Sequence, residues 1–408
     1  MVRADGLYPS GPWFESRLPY HASVDVTDAK QVVRERVGRA HEALTGLSHT
    51  IHADPELGYQ ETRASARLAE WLDNEGYEVT RGVAGLDTAI VGTFGPGPLN
   101  IAIVAEYDAL PEVGHACGHN IISATAIGAA VGLAAVADEL GMRVSLVGTP
   151  AEEGGAGKVV MIEAGVFADI HCALMVHPGP GDVLLPEVLA AQSLDVVYTG
   201  RAAHAGAFPE RGINAADGLV VAQVAIGLLR QALLPTQRVH GIVTVGGEAS
   251  NIIPARTEAR FMIRAASVSE LDGLRERVRR CFEAGATASG AQLDIVEHRI
   301  YADMRHDPDL ARLYQANAEA LGRSFGGPSD FNRFSTDMGN VSYEVPAIHP
   351  VLGIASGEAV NHQPEFAAAT VTPAADQAIF DGAVALAWTA IDAASNEALR
   401  SRLLSGEK

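Results

Sequence analysis

The sequence predicts an α/β protein whose main domain is interrupted by a smaller inserted α+β domain. Three observations predict this arrangement. Strand-like apolar runs alternate with helical periodicities up to about residue 189, a different order of elements occupies about residues 190–302, and mixed α/β character returns from about residue 303. With 408 residues, of which 48% are hydrophobic and 20% charged, the chain is long enough to bury more than one core.

In the first segment, apolar periodicity predicts helices over residues 28–47, with Thr27 as the N-cap, and over residues 62–75. Two further helices are predicted over residues 121–140 and 159–164. Between these helices stand four short apolar runs that are typical of strands, namely TAIVGTF, NIAIVAEY, RVSLVGT and CALMVH. Strands that alternate with helices predict a sheet covered on both faces.

The middle segment has a different order of elements. A strand (QSLDVVYTG), a helix over residues 214–234, two strands (VHGIVTVGG and RTEARFMIR), a helix over residues 269–283 and a last strand (AQLDIVEHRI) follow one another. The order β-α-β-β-α-β is that of a ferredoxin-like domain. We therefore assign residues 190–302 to the inserted domain, and residues 1–189 with 303–408 to a discontinuous main domain.

Composition excludes several classes of partner and location. The net charge of −20 argues against binding to nucleic acid or to an anionic membrane. The apolar run over residues 121–140 is rich in alanine and glycine and ends in acids, which favours a core helix over a membrane span. The three cysteines, Cys117, Cys172 and Cys281, are too few for a disulfide framework, and no signal peptide is recognisable. We expect a cytoplasmic protein.

Side chains that can perform chemistry follow three of the predicted strands. Open α/β sheets form their active sites at the carboxyl ends of strands, so we expect one site at this edge. The residues are Glu106 and Asp108 after NIAIVA, Glu152 and Glu153 after RVSLVGT, His177 after CALMV, and His115, Cys117 and His119 in the loop before a helix.

Thiolate, imidazole and carboxylate together form a transition-metal ligand set, for which zinc is the usual occupant. Cys117 taken alone is equally well explained as a buried sulfur. His119, His177 and the glutamate pair at the same edge favour the metal interpretation, with one glutamate as ligand and the other as proton shuttle. The run EEGGAGKVV does not fit a phosphate loop, because Glu152 stands at the first glycine position and Val159 where Ser or Thr is needed.

Several stretches together resemble the M20 peptidases, in the aminoacylase-like amidohydrolase branch. They follow the family's order and extend over nearly the whole chain after about residue 30: IHADPELGYQET, AEYDALPEVGHACGHN, GTPAEEGGAGK, VHPGP, GRAAHAGAFPERGINA and AVNHQPEF. Asn120 and the run STDMGNVS resemble the subgroup of aminobenzoyl-glutamate hydrolases and β-alanyl dipeptidase-like proteins. The resemblance implies a zinc-peptidase-like catalytic main domain and an inserted domain that serves as lid and dimerisation domain.

The resemblance also implies a site for two divalent metal ions, zinc or manganese, and a role for each residue that matches the family. Glu106 replaces a histidine of the wider family. The implied metal ligands are Cys117, as the bridge between the ions, with His119, Glu153, His177 and His362. Glu152 would be the general base, and Asp108 and His115 would support the ligands from behind. His204 would stabilise the oxyanion, and Asn251 and Arg264 would bind the substrate carboxylate.

The expected function is metal-dependent hydrolysis of the amide bond of an N-acyl amino acid or dipeptide with a free carboxylate. The partners implied are a small-molecule substrate and a second copy of the chain. In the family the matching histidine reaches the metals of the other subunit, and the resemblance implies the same for His204. Two other classes remain open. One is a cysteine hydrolase that uses Cys117 with His115 or His119 as base, and the other is a non-catalytic protein that binds amino-acid conjugates.

Overall fold

The computed structural model describes residues 25–326 and 333–407; residues 1–24 and 408 of the predicted main domain, and residues 327–332, lie outside the described residues. The described α-helices are α1 (Val26–Ala53), α2 (Thr62–Asn74), α3 (His119–Ala134), α4 (Gly157–Glu163), α5 (Ala215–Leu229), α6 (Val268–Ser289), α7 (Pro308–Ala320), α8 (Met338–Glu344), α9 (Pro364–Ala369), α10 (Pro373–Ser395) and α11 (Glu397–Leu404).

The described strands form two larger sheets and two short two-stranded ones. They are β1 (Glu78–Arg81), β2 (Ile90–Phe94), β3 (Leu99–Glu106), β4 (Met142–Thr149), β5 (Cys172–Leu174), β6 (His177–Gly179), β7 (Glu187–Val188), β8 (Ala190–Thr199), β9 (Arg238–Val245), β10 (Arg256–Ala265), β11 (Gln292–Glu297), β12 (Arg333–Phe334), β13 (Ala347–Ile348) and β14 (Val351–Gly353). The α/β fold class predicted from the sequence is confirmed.

The first sheet has six strands in the order β1-β2-β4-β3-β5-β13, of which β4, β3, β5 and β13 run parallel. Strand β3 is buried along its whole length. Ile101 and Ile103 pack into the core formed with α1, α3 and α10, whereas Ala102 and Val104 face a second core that includes residues of α4 and α8. A central strand covered on both faces carries a continuous apolar run, which is why NIAIVA shows no alternation.

The second sheet lies within residues 190–297 and has the order β11-β8-β10-β9 with every neighbouring pair antiparallel. Helices α5 and α6 share one apolar core with the sheet. In β10 every second residue is buried, as expected of a sheet with one covered face. Numbered within this segment, the strands follow the order 4-1-3-2 with the two helices as crossovers, which is a ferredoxin-like arrangement.

Three local predictions are wrong. The N-cap of α1 is Asp25, whose carboxylate accepts a hydrogen bond from the N–H of Thr27 at 2.8 Å. Helix α3 begins at His119 and ends at Ala134, and the residues up to 140 form turns. The run CALMVH forms two short strands in different sheets, because β5 pairs with β3 while β6 pairs with β14.

Two described helical stretches, Ala215–Ala232 and Pro373–Ser395, are long and apolar enough to cross a membrane when judged by length and composition. Within the apolar window of Pro373–Ser395, 83% of the residues are buried inside the protein, which is the property of a core helix. For Ala215–Ala232 the buried share is only 28%, so α5 leaves an apolar face at the surface of the single chain.

Candidate active site

The carboxyl ends of β3 and β4 lie side by side, since Glu106 pairs in register with Thr149. Asp108 follows β3, and Glu152 and Glu153 follow β4 on a loop that includes left-handed backbone at Ala151 (φ 55°). His177 lies just beyond β5, the other neighbour of β3. The sequence therefore placed the chemistry-bearing residues at one edge of the sheet, and the structure has them there.

The loop before α3 carries Cys117 and His119 into this edge. Gly118 between them has φ 85°, and a side chain at this position would overlap Pro178, so the tight turn depends on glycine. His119 is the first residue of α3 and is fully buried. The turn allows two residues of this loop to direct their side chains to one point.

Two groups of donor atoms meet at Cys117. Cys117, His119 and His177 form one group, and Cys117, Glu153 and His362 form the other, with the donor atoms of each group within 4.8 Å of one another. The structure thus brings together every ligand that the resemblance implied. A third group, formed by Glu106, His119 and Glu152, does not include Cys117. Two sets of three donors that share one sulfur could hold two metal ions.

Buried atoms without hydrogen-bond partners also favour a cation here. His119 Nε2 and Glu153 Oε1 are both buried without a hydrogen bond to any described residue. The other nitrogen of His119, Nδ1, lies 3.0 Å from Asp108 Oδ1, which fixes the ring so that Nε2 faces the donor groups. Asp108 Oδ2 accepts the N–H of Glu153 at 2.9 Å. Asp108 therefore supports two ligands from behind, and the residues present fit metal ions.

A loop from the end of the main domain closes the second donor group. His362 has left-handed backbone (φ 73°), which is uncommon for a residue with a side chain and typical of functional sites. Its N–H donates to the carbonyl of Ala116 at 2.8 Å. The Asn361 amide donates to the carbonyls of Cys117 and Pro178, each at 3.3 Å. Three loops distant in sequence are thus joined around the thiol.

Burial controls the ionisation of the cluster in the metal-free chain. Burial raises the pKa of the Cys117 thiol well above its usual value, and the nearby Glu153 carboxylate raises it further. Burial also lowers the pKa of His177 to about 4, so its ring is neutral and able to bind a metal near pH 7. Burial would lower the pKa of His119 too, but Cys117 and Asp108 raise it overall. A neutral, buried thiol is a poor nucleophile.

The base candidate, Glu152, is 7% exposed and lies beside the first donor group, with its Oε2 3.9 Å from His119 Nε2. Burial raises the pKa of Glu152 well above its usual range, and the carboxylates of Glu106 and Glu153 act in the same direction. Divalent cations beside the carboxyl group would oppose this effect, because they favour the ionised form.

A buried ion network behind the site was not predicted from the sequence. The ammonium group of Lys158 lies 2.6 Å from Glu106 Oε1 and 2.6 Å from Asp337 Oδ1, and all three side chains have no exposed surface. Burial would lower the pKa of Lys158, but Asp337 and Glu106 hold it above its usual value. The second oxygen of Glu106 lies 3.4 Å from His119 Nε2. Lys158 thus balances the negative charge of Glu106 and Asp337.

His115 is 2% exposed and lies beside His52, with 6.4 Å between the ring centroids. Burial lowers the pKa of His115 to about 3, and His119 and His52 lower it further. The ring is therefore neutral. Its supporting role remains a prediction.

Two adjoining cavities of about 350 and 530 Å³ open beside the donor groups. They share the lining residues Glu152, Glu153, Arg264, Ser335 and His362. Arg264 donates to the Ser335 hydroxyl at 2.7 Å, and among the described residues it forms no salt bridge with a carboxylate. An unneutralised guanidinium between the cavities suits a substrate carboxylate.

His204 and Asn251 lie together but away from these cavities. The carbonyl of Asn251 accepts the N–H of Ala205 at 2.9 Å, and His204 is exposed in the single chain. Asn251 precedes the start of β10, whereas Arg264 is near its end, and eight residues of strand span roughly 26 Å. One chain therefore does not bring Asn251 and Arg264 to the same carboxylate.

Comparisons with known proteins agree with this geometry. The family model of peptidase family M20/M25/M40 matches residues 102–378. The Xaa-Arg dipeptidase of Mus musculus is 39% identical over 393 residues, which cover 91% of this chain and 90% of that protein. The chain belongs to peptidase family M20/M25/M40.

Other M20 relatives extend the comparison. One of the subunits of the p-aminobenzoyl-glutamate hydrolase of Escherichia coli is 30% identical over 282 residues, which cover 64% of this chain and 57% of that protein. The crystal structure of a dinuclear metal-binding M20 peptidase from Bacillus subtilis superposes with a TM-score of 0.69 at 23% identity, covering 88% of this chain and 99% of that one. Family membership makes this M20 chain a metallo-hydrolase, as the sequence predicted, and the donor groups around Cys117 are the candidate metal ligands.

Proposed function

We propose that this M20 protein hydrolyses the amide bond of an N-acyl amino acid or dipeptide that has a free carboxylate. The observation that carries the proposal is the pair of donor groups that share Cys117, with the carboxyl group of Glu152 beside them. The named dipeptidase and hydrolase relatives support the same reaction class. The three cysteines are unpaired, which suits a reducing compartment such as the cytoplasm.

In the proposed mechanism, the ligands around Cys117 would hold two divalent cations, which would supply the Lewis acidity that makes a water nucleophilic near neutral pH. Glu152 receives the proton of the attacking water and then donates it to the leaving amine nitrogen. Arg264 binds the substrate carboxylate and holds the amide bond in place.

A screen of acyl-amino acids and dipeptides, combined with metal analysis of the purified protein, tests the proposal. Activity that disappears with a chelator and returns on addition of zinc or manganese supports it. Hydrolysis that persists in the demonstrably metal-free protein would instead favour a cysteine nucleophile. The buried, neutral thiol of Cys117 argues against that alternative.

We further propose a homodimer formed by the inserted domains. On α5 the side chains of Val220, Val224 and Leu228 are 56%, 59% and 74% exposed, and their spacing of four places them in one stripe. Strand β9 is the edge of its sheet and exposes Ile242 and Val243. An exposed apolar helix stripe and an unpaired strand edge in the same domain both suit a second copy, which would cover them by two-fold symmetry.

Such a dimer also explains the positions of His204 and Asn251. Both are remote from the cavities of their own chain, so we propose that they complete the site of the other subunit. There His204 would donate to the oxyanion of the tetrahedral intermediate, and Asn251 would join Arg264 at the substrate carboxylate. The exposed apolar face and the incomplete single-chain site support the same assembly.

Replacing Arg264 by alanine is expected to lower kcat/KM for substrates with a free carboxylate. The decrease corresponds to a loss of about 1.5–3 kcal/mol of transition-state stabilisation, and amidated analogues should be affected much less. Arg256→Ala is the matched control. Arg256 lies on the same strand, pairs with Glu258 at 2.5 Å and lines neither cavity, so its loss should change kcat/KM little. Equal losses for acids and amides in the Arg264 variant would remove the carboxylate contact from the proposal.

Mixing two inactive variants should restore activity if His204 acts across the dimer. In a dimer of one His204→Ala and one Glu152→Gln chain, one site has both lesions and the other has neither. With random pairing about half of the dimers are mixed, so roughly a quarter of wild-type activity should return. Subunit exchange is verified by native mass spectrometry. Confirmed exchange without recovered activity would place His204 outside the partner's site.

A further inference from the structure

Tyr301 lies where the chain returns from the inserted sheet to the main domain. Its backbone pairs with Ala191, near the start of β8 where the chain enters the inserted sheet. The pair forms two N–H to carbonyl hydrogen bonds of 2.9 Å each. The side chain of Asn340 clamps the residues on either side, accepting the N–H of Ala302 at 3.0 Å and donating to the carbonyl of Ile300 at 3.1 Å. The position of Tyr301 is therefore fixed by α8 and by the two segments through which the chain enters and leaves the inserted sheet.

The hydroxyl of Tyr301 reaches the loop that follows β4. It donates to the carbonyl of Glu152 at 2.7 Å and accepts the N–H groups of Gly154 at 3.1 Å and Ala156 at 3.0 Å. The hydroxyl thereby uses its one proton and both lone pairs. The Gly154 N–H is shared with the Glu152 carbonyl at 2.7 Å, but the Ala156 N–H has the Tyr301 hydroxyl as its described acceptor.

The loop held in this way is strained. Ala151 and Ala156 both have left-handed backbone, with φ of 55° and 54°. Left-handed backbone is unfavourable for residues with a Cβ and persists only where the surroundings enforce it. At one end the Glu61 carboxylate accepts the Ala151 N–H at 2.8 Å. At the other end Tyr301 supplies three hydrogen bonds, and between the two ends stand Glu152 and Glu153.

We propose that Tyr301 is a positioning residue that holds the base Glu152 and the ligand Glu153 in their working geometry and ties that geometry to the crossing between the domains. The proposal rests on the proposed function, in which Glu152 transfers the proton. Tyr301 lines the larger cavity, but its hydroxyl is fully used by the loop backbone, so its proposed action is through the loop. A misplacement of about 1 Å at such a group can cost a hundredfold in rate.

The test replaces Tyr301 by phenylalanine, which keeps the ring and removes the hydroxyl. We expect kcat to fall by about 10- to 100-fold, with KM within about threefold of wild type and unchanged metal content. Tyr77→Phe is the matched control, because the buried Tyr77 hydroxyl also donates to a carbonyl, that of Ala130 at 2.7 Å, but far from this loop. The control should keep the wild-type kcat.

Amide hydrogen exchange provides a readout that is independent of activity. In the Tyr301→Phe protein, with and without metal, exchange at Ala156 should be at least about tenfold faster, while the amides of α4 after its first turn keep their protection. A wild-type kcat, an equal loss in Tyr77→Phe, or unchanged exchange at Ala156 would overturn the proposal. If the wild-type protein cleaves no acyl-amino acid or dipeptide, the proposed function fails, and exchange at Ala156 still decides whether Tyr301 holds the loop.

Discussion

Replacing Glu152 by glutamine is expected to lower kcat by about 10²–10⁴-fold, the range supplied by a positioned general acid–base group. The amide has nearly the shape of the carboxyl group but cannot accept the proton of water or return it to the amine. Glu152 also forms a third group of possible donors with Glu106 and His119, but Glu106 is already paired with Lys158 at 2.6 Å. We therefore expect the two groups that share Cys117 to keep the metal content at the wild-type level. The measurements are steady-state kinetics and metal analysis of the same preparation.

The neighbouring glutamate provides the matched control. Glu153 lies in the donor group with Cys117 and His362, and its Oε1 is 3.7 Å from His362 Nε2. Glu153→Gln should therefore lower metal occupancy as well as rate. Comparing the same Glu-to-Gln change at these two adjacent positions separates proton transfer from metal binding. Substantial activity in Glu152→Gln would refute the assignment of the base, and parallel metal loss in both variants would make Glu152 a ligand.

Much of the fold could be predicted because its elements leave local patterns. Strand β10 is recognisable from alternation and β3 from an unbroken apolar run, since each pattern reflects how many faces are covered. The errors occur where no local signal marks a boundary. The apolar run after His119 continues past the end of α3 at Ala134, and no residue inside CALMVH separates β5 from β6.

The residues of the site also differ in whether a local sequence pattern predicts them. Its ligands stand in short stretches after strands, so the sheet edge brings them together. Lys158 pairs with Glu106 and Asp337 across 52 and 179 residues of sequence, and no local pattern reports such a contact. One signal was present, since an acid at the end of the apolar strand NIAIVAE requires a buried counter-charge. The Tyr301 hydroxyl, 149 residues from Glu152, left no signal of this kind.

The position of His204 illustrates a different limit. The family resemblance assigned it a role at the metals of a second subunit, and in the single chain it is exposed and lines neither cavity. Side-chain chemistry can be inferred from one sequence, whereas a site built from two copies depends on symmetry that one chain does not display. The exposed stripe on α5 is the feature of the single chain that points to the second copy.

Replacing Cys117 by serine is expected to lower metal occupancy and activity together. Cys117 is the residue common to both donor groups, so its loss removes a ligand from each. Serine is a far poorer anionic ligand at neutral pH, because its hydroxyl stays protonated where a thiol beside a cation ionises. Residues that only hydrogen-bond to a metal ligand contribute about 10–100-fold to metal affinity. For the ligand Cys117 itself we expect metal affinity to fall by more than about 100-fold. Metal titration of the metal-free protein measures it.

Cys172→Ser is the matched control for this substitution. Cys172 is a fully buried thiol on β5 whose pKa burial also raises, and it belongs to neither donor group. Its replacement should lower stability through the buried hydroxyl, while the folded protein keeps its metal affinity and kcat. Wild-type metal content combined with lost activity in Cys117→Ser would favour a cysteine nucleophile. Loss of metal in step with rate, absent from the control, identifies the Cys117 thiolate as the ligand that joins the two halves of the site.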